Sequence, residues 1–314
     1  MYYLLAALNG CIIAVMVALN GGLSDHYGVF LAAVIIHVVG TLFALAVLLL
    51  RRRGGSVGQY LFGTGRLPLW MYLGGVIGVV TTVCNNFAFG RISMTSLVAL
   101  GLFGQTLTSL LIDTLGLFGM PKRRFRPTQI IGIVFALWGI AVMLRDVGAP
   151  AAGAAAPAFV AGAVALSFLA GVSIVLSRTV NAGLASHIGA LQGSFVNHLV
   201  GLPVTVAIWL LQGGIPALAG MTASPRLWIY GGGMLGVTVV LLFNTIVPKM
   251  QAFHLTLLSF AGQIAAGFFI DLLCGTASDS ASLLGGGIVS AGILINLLTE
   301  HLLEKRAKKN GILT

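Results

Sequence analysis

The chain has 314 residues, 58% of them hydrophobic and only 8% charged, with a formal net charge of +10 and a mean hydropathy of +1.04. Water-soluble domains carry roughly 25% charged residues, so this composition excludes one and points to a polytopic, all-α membrane protein. The polar/apolar alternation of an outer-membrane barrel is absent. No soluble module gathers the positive charge, which argues against a nucleic-acid partner.

In chain order, apolar runs long enough to span a bilayer are predicted at about residues 3–21, 29–50, 69–89, 94–118 and 127–144, and again at about 158–178, 187–211, 227–247, 252–274 and 283–300. The first follows Met1-Tyr2-Tyr3 with no basic segment, which reads as a retained span and not a cleaved signal. Trp70 and Tyr72, and later Trp228 and Tyr230, open the third and eighth runs as interfacial aromatics do. Between the fifth and sixth runs, Arg145-Asp146-Val147-Gly148-Ala149-Pro150 leads into an Ala/Gly/Pro tract ending at Pro157, a linker composition. The expected organisation is a five-helix repeat over 1–146, a periplasmic linker over 147–157, a second repeat over 158–300 and a basic cytoplasmic tail over 301–314.

The halves resemble each other. Trp70, Tyr72, Gly74, Gly75, Gly78 and Val79 match Trp228, Tyr230, Gly232, Gly233, Gly236 and Val237. Asn20, Gly22, Leu23, His26 and Gly28 match Asn181, Gly183, Leu184, His187 and Gly189, and His37-Val38-Val39-Gly40 matches His198-Leu199-Val200-Gly201. Five helices is an odd number, so the second copy is expected to be inverted in the membrane. On that topology one side carries residues 51–53, Arg66, Lys122, Arg123, Arg124, Arg126, Arg178, Lys249, Lys305, Arg306, Lys308 and Lys309, and the other only Arg91, Arg145 and Arg226. The basic side is then cytoplasmic, with both termini on it.

Two stretches stand out within this frame. Gly104-Gln105 leads to Ser109 and Asp113, and Gly262-Gln263 leads to Gly267 and Asp271. At helical spacing each set lies on one face. Gln105 and Gln263 fall about 11 residues into their helices, roughly 16 Å deep and near the midplane. A bare amide there costs several kcal/mol, so each glutamine either lines a wet cavity or bonds to a neighbouring helix. Asp113 and Asp271 lie two turns on, toward opposite faces. Carboxylates in the membrane can hold a coupling ion or proton, but near the interface anchoring of neighbouring backbone is the favoured reading. His37 and His198 can shuttle protons, against the commoner role of a packing histidine. Asn86 and Asn244 read the same way. Asn9 and Asn85 face apolar counterparts, Ala170 and Phe243, and such breaks mark where a cavity becomes specific. The cavity candidates are thus Gln105, Gln263, Asn9, Asn86, Asn244 and Ser109; the coupling candidates are Asp113, Asp271, His37 and His198. Gly74-x-x-x-Gly78 and Gly232-x-x-x-Gly236 allow close helix approach.

No Gly-x-Ser-x-Gly elbow, His-Glu-x-x-His pair or Walker A motif is present. Cys11, Cys84 and Cys274 sit in apolar segments without metal spacing. Neither an enzyme, a cofactor nor a metal is expected, and any transport would be secondary.

The segment from Leu97 through Gly104-Gln105 and Ser109-Leu110-Leu111-Ile112-Asp113 to Leu117-Phe118-Gly119 and Pro121-Lys122 resembles the signature of the YdcZ-type family, within the drug/metabolite transporter superfamily. Ala7 to Gly28, with Asn20 and Leu23, is similar to that family's first helix and loop. The resemblance covers about residues 4–144 and, more loosely, 165–300, as in a fused, double-length member. It implies ten transmembrane helices in the bacterial inner membrane, built as two inverted five-helix repeats. It also implies a central cavity lined mainly by helices 1, 3, 4, 6, 8 and 9, with Gln105 and Gln263 among the lining groups. Gly267-Phe268-Phe269 stands where Ser109-Leu110-Leu111 does, and Cys274-Gly275-Thr276 where Gly116-Leu117-Phe118 does, so a symmetric site is not implied. Small relatives in the superfamily use a Glu on helix 1; helices 1 and 6 here have none, so that coupling chemistry does not carry over.

The expected function is a secondary exporter of a small organic metabolite or drug, working by alternating access between the repeats. A lipid scramblase or a structural membrane subunit is the rival class. Sparse charge predicts a neutral, zwitterionic or amphipathic substrate. The expected partners are that substrate, the bilayer, and either a proton or a counter-substrate for coupling; fused repeats make a monomer sufficient.

Overall fold

The structure, a computed structural model, describes the chain apart from residues 53, 55, 64–66, 89–93, 124, 126, 144–156, 218–221, 275–279 and 310–314. Among the described residues ten helices of 15 residues or more are present, and no strand. They are α1 (Tyr2–Tyr27), α2 (Val29–Arg51), α3 (Gly74–Ala88), α4 (Met94–Leu115), α5 (Gln129–Met143), α6 (Pro157–Ile188), α7 (Ala190–Leu211), α8 (Gly231–Ile246), α9 (Ala252–Cys274) and α10 (Ser280–Lys309). Short 3-10 turns, Leu69–Leu73 and Leu227–Tyr230, lead into α3 and α8, and short helices at Val57–Phe62 and Gly214–Ala217 follow α2 and α7. Among the described residues five segments are long and apolar enough to cross a membrane: Tyr2–Tyr27, Val29–Arg51, Ala161–Ile188, Ala190–Leu211 and Leu227–Lys249. The apolar stretches beginning at Leu69, Leu100, Gln129 and Ala252 are shorter.

Three helices outrun their predicted ends, and one of them, α10, continues past residue 300 to Lys309, into the stretch expected as a tail. α1 continues past residue 21 to Tyr27, and α6 past 178 to Ile188. Polar residues such as Asn20 and Asn181 end a hydropathy run, but only a backbone breaker ends a helix. That breaker is a single glycine in each half. Gly28 joins α1 to α2 at φ 75°, and Gly189 joins α6 to α7 at φ 103°. Side chains with a Cβ rarely adopt that region.

In lipid, apolar side chains gain little by moving onto another helix, so association depends on close contact between small residues. α1 lies along α8 and α9, α6 along α3 and α4, α2 against α7, and α5 against α10. Glycine brings the backbones together at the long seams. A Cβ at Gly10 would strike the Ser259 carbonyl, and one at Gly262 the Ala7 carbonyl. In the other half, Gly104 meets the Phe168 carbonyl and Gly171 the Gly101 carbonyl. Gly75 sits on the Asn197 carbonyl as Gly233 sits on that of Ile36. Each of these contacts has its counterpart at the offsets read from the sequence. α1, α9, α4, α6 and α8 form a closed ring of neighbours, each touching the next. Ala6, Ala182, Phe243 and Leu255, from four of these helices, pack as one buried cluster.

The end of α1 is tied to the start of α8 by polar groups. The Tyr27 and Tyr230 hydroxyls hydrogen-bond to each other, and the Ser224 N–H donates to both, at 2.9 and 3.2 Å. His26 Nε2 bonds the Thr222 carbonyl at 3.0 Å. At the corresponding place in the other half, Ile188 packs with Tyr72 and Leu61 in an apolar cluster.

Candidate functional site

α4 and α9 hold equivalent places in the two halves, yet they run antiparallel. Near the end of α4, the Asp113 carboxylate accepts the backbone N–H groups of Ala252 and Phe253, each at 2.9 Å. These are the first residues of α9, whose N–H groups have no intrahelical partner. One turn back, the Ser109 hydroxyl bonds that of Thr256 at 2.7 Å. Continuing this register sets Gln105 level with Phe260 and Gln263 level with Leu102, so the glutamines differ in height by about 4.5 Å. They straddle the level of Gly104 and Gly262. Both side chains are half-buried, and Gln263 Nε2 donates to the Ser259 carbonyl at 3.3 Å.

α1 lies parallel to α9 along this stretch. The Ser259 hydroxyl donates to the Ala6 carbonyl at 3.2 Å, and Cys11 Sγ to the Gly262 carbonyl at 3.4 Å. Asn9 falls between these contacts, at the height of Gln105. It is fully buried, and neither amide atom has a hydrogen-bond partner.

The residue that hydropathy misplaces is Arg178. The sequence reading puts it in a cytoplasmic loop after the sixth span; instead it lies inside α6, 4% exposed. The helix continues because nothing breaks it before Gly189. Arg178 Nη2 donates to Thr256 Oγ1 at 2.5 Å, Ser109 Oγ at 3.1 Å and the Ala252 carbonyl at 3.2 Å. The Phe243 ring centre lies 5.5 Å from the guanidinium carbon, a cation–π contact. Nε and Nη1 have no hydrogen-bond partner. One cation thus joins α4, α6, α8 and α9 within the ring. A signal for it is present in the repeat: at the offset of the first helices, Arg178 aligns with Val17, inside α1 and not in a loop.

The remaining candidates lie elsewhere. His37 and His198 come together where α2 meets α7, with ring centres 5.7 Å apart. Each Nδ1 donates to the carbonyl four residues earlier, Ala33 at 2.8 Å and Ser194 at 2.9 Å. Each ring sits over the glycine of the opposite helix, His37 on Gly201 and His198 on Gly40. Asn244 Nδ2 donates to the Ala190 carbonyl at 3.0 Å and holds the first turn of α7. The side chains of Asn86 and Asp271 lie outside the described residues.

A family model described as "Putative inner membrane exporter, YdcZ" matches residues 1–142 and again 162–295. The chain belongs to the YdcZ family. It is an all-α inner-membrane protein of the drug/metabolite transporter superfamily, and the description of its family supports a transporter. In this YdcZ protein the first match covers α1 to α5 and the second runs from α6 into α10. The comparison with curated proteins gives no match. A solved structure titled "Crystal structure of protein" is similar in fold, with a TM-score of 0.69 at 15% identity over 96% of this chain and 98% of that chain.

Proposed function

We propose that this YdcZ protein is a secondary exporter of small organic molecules, working by alternating access about the level of Gln105 and Gln263. The observation that supports this most is the antiparallel pairing of α4 with α9, which brings two equivalent glutamines to nearly one height in the middle of the bundle. Reciprocal contacts, such as His37 on Gly201 and His198 on Gly40, allow one half to take the arrangement of the other. Rocking between two such arrangements opens a central site to each face in turn. With Arg178 moved into the bundle, the other thirteen basic residues of the richer side still favour cytoplasmic termini.

Purified protein in proteoliposomes, assayed with a panel of metabolites and drugs, is expected to give saturable flux of at least one compound. Gln105→Leu combined with Gln263→Leu is expected to lower that flux about tenfold or more, because a bound polar group loses its partners. Folded protein that moves no compound would overturn this reading, and protein that moves fluorescent lipid but no solute would replace it with a scramblase.

A further inference from the structure

We propose that Arg178 recognises a carboxylate group on the transported molecule. This rests on the transporter reading above and extends it to a substrate class. A guanidinium has five N–H donors in a fixed plane. Nη2 is held by Ser109, Thr256 and the Ala252 carbonyl, which leaves the three donors on Nε and Nη1 without partners in a buried setting. A cation kept only to brace the helices would be expected to have its donors satisfied, since burying it bare costs several kcal/mol. The nearby acid does not satisfy them. Asp113 places one oxygen on the Ala252 N–H and the other on that of Phe253.

The position fits a substrate group. Ser109, which Arg178 grips, is one turn from Gln105 on the same face of α4. Ala6, one turn from the buried and unpartnered Asn9, shares a cluster with Phe243, the ring beside the guanidinium. Of these residues only Gln105 has an identical counterpart: Arg178 aligns with Val17, Asn9 with Ala170, Phe243 with Asn85, Ser109 with Gly267 and Ala6 with Ser167. These departures therefore fall on the helices of the ring that holds Arg178, a buried positive charge. N–H donors on a cation in a water-poor interior bind an oxygen anion strongly. With Asp113 already close by, a singly charged carboxylate suits the site better than a dianionic phosphate. The substrate range expected from sparse charge narrows to organic acids and zwitterions.

The test is thermal stabilisation of the purified protein by a library of small carboxylic acids, with their primary amides, the matching amines and the matching phosphate monoesters as separate arms. Saturable stabilisation by carboxylates over the other three arms is expected, and Arg178→Gln should weaken it about tenfold or more. Should that variant not fold, Arg178→Lys is expected to bind carboxylates more weakly while still preferring them to amides. Carboxylates that bind no better than the other arms, or that bind Arg178→Gln as well as wild type, would leave Arg178 a brace and overturn the proposal. Saturable flux of an amide in proteoliposomes alongside that result would keep the transporter reading; absence of any flux would remove both.

Discussion

Asp113→Ala is expected to lower the stability of the folded protein by about 3–5 kcal/mol, the range for removing one member of a buried charged network. Two losses combine. The first N–H groups of α9, on Ala252 and Phe253, lose the carboxylate oxygens that accept them. Arg178, buried and bonded to Ser109 one turn back along α4, loses the negative charge that acts on it. Asp113→Asn keeps one oxygen acceptor in place and should cost less, about 1–2 kcal/mol. Denaturant unfolding in detergent checks both values. Flux measurements separate anchoring from proton coupling: for an anchor, Asp113→Asn leaves the pH dependence of transport as in wild type. Loss of pH-driven uptake with counterflow exchange intact would make Asp113 a proton carrier.

The second large effect is at the helix seams. Gly10→Leu is expected to abolish folded, monodisperse protein, whereas the same change at Gly21 should be tolerated. At Gly10 a Cβ would lie within the van der Waals shell of the Ser259 carbonyl, so α1 and α9 would have to separate. At Gly21 a Cβ meets nothing within 4 Å. Overfilling a packed interior typically costs about 1–3 kcal/mol, and the cost rises when backbone and not a side chain must move. Separating α1 from α9 would also break the Ser259–Ala6 and Cys11–Gly262 hydrogen bonds. Size-exclusion chromatography of matched preparations distinguishes the two glycines. Equal yields from Gly10→Leu and wild type would mean the helices cross farther apart than the structure shows.

Much of the architecture is legible in the sequence because membrane helices declare themselves by apolar length, and a repeat declares itself by recurring glycines. The His-x-x-Gly pairs are an example: their recurrence at a constant offset is visible in the chain, and each histidine covers the other's glycine. The reciprocity itself is not visible, since it depends on α2 and α7 meeting face to face. Helix ends were less legible. Arg178 interrupts an apolar run and so looks like a boundary, but a charged side chain does not stop hydrogen bonding along a helix; Gly189 does. Its three hydrogen-bond acceptors come from α4 and α9, far away in sequence, so no local pattern could announce the contact. Asn9 illustrates the converse. Its mismatch with Ala170 marks it as unusual in the sequence, while its complete burial without a partner is a fact of packing alone.

In the proposed cycle Gln105 and Gln263 line one site opened in turn to the two faces of the membrane. The direct measurement is thiol labelling of Gln105→Cys and Gln263→Cys in protein with Cys11, Cys84 and Cys274 replaced by Ala, reconstituted in vesicles of known orientation. A membrane-impermeant reagent is applied from one side at a time. Reaction of both positions from both sides, with rates that shift in opposite directions when substrate is added, is the expected result. Reaction from one side only, or from neither, would contradict alternating access at this level of the bundle.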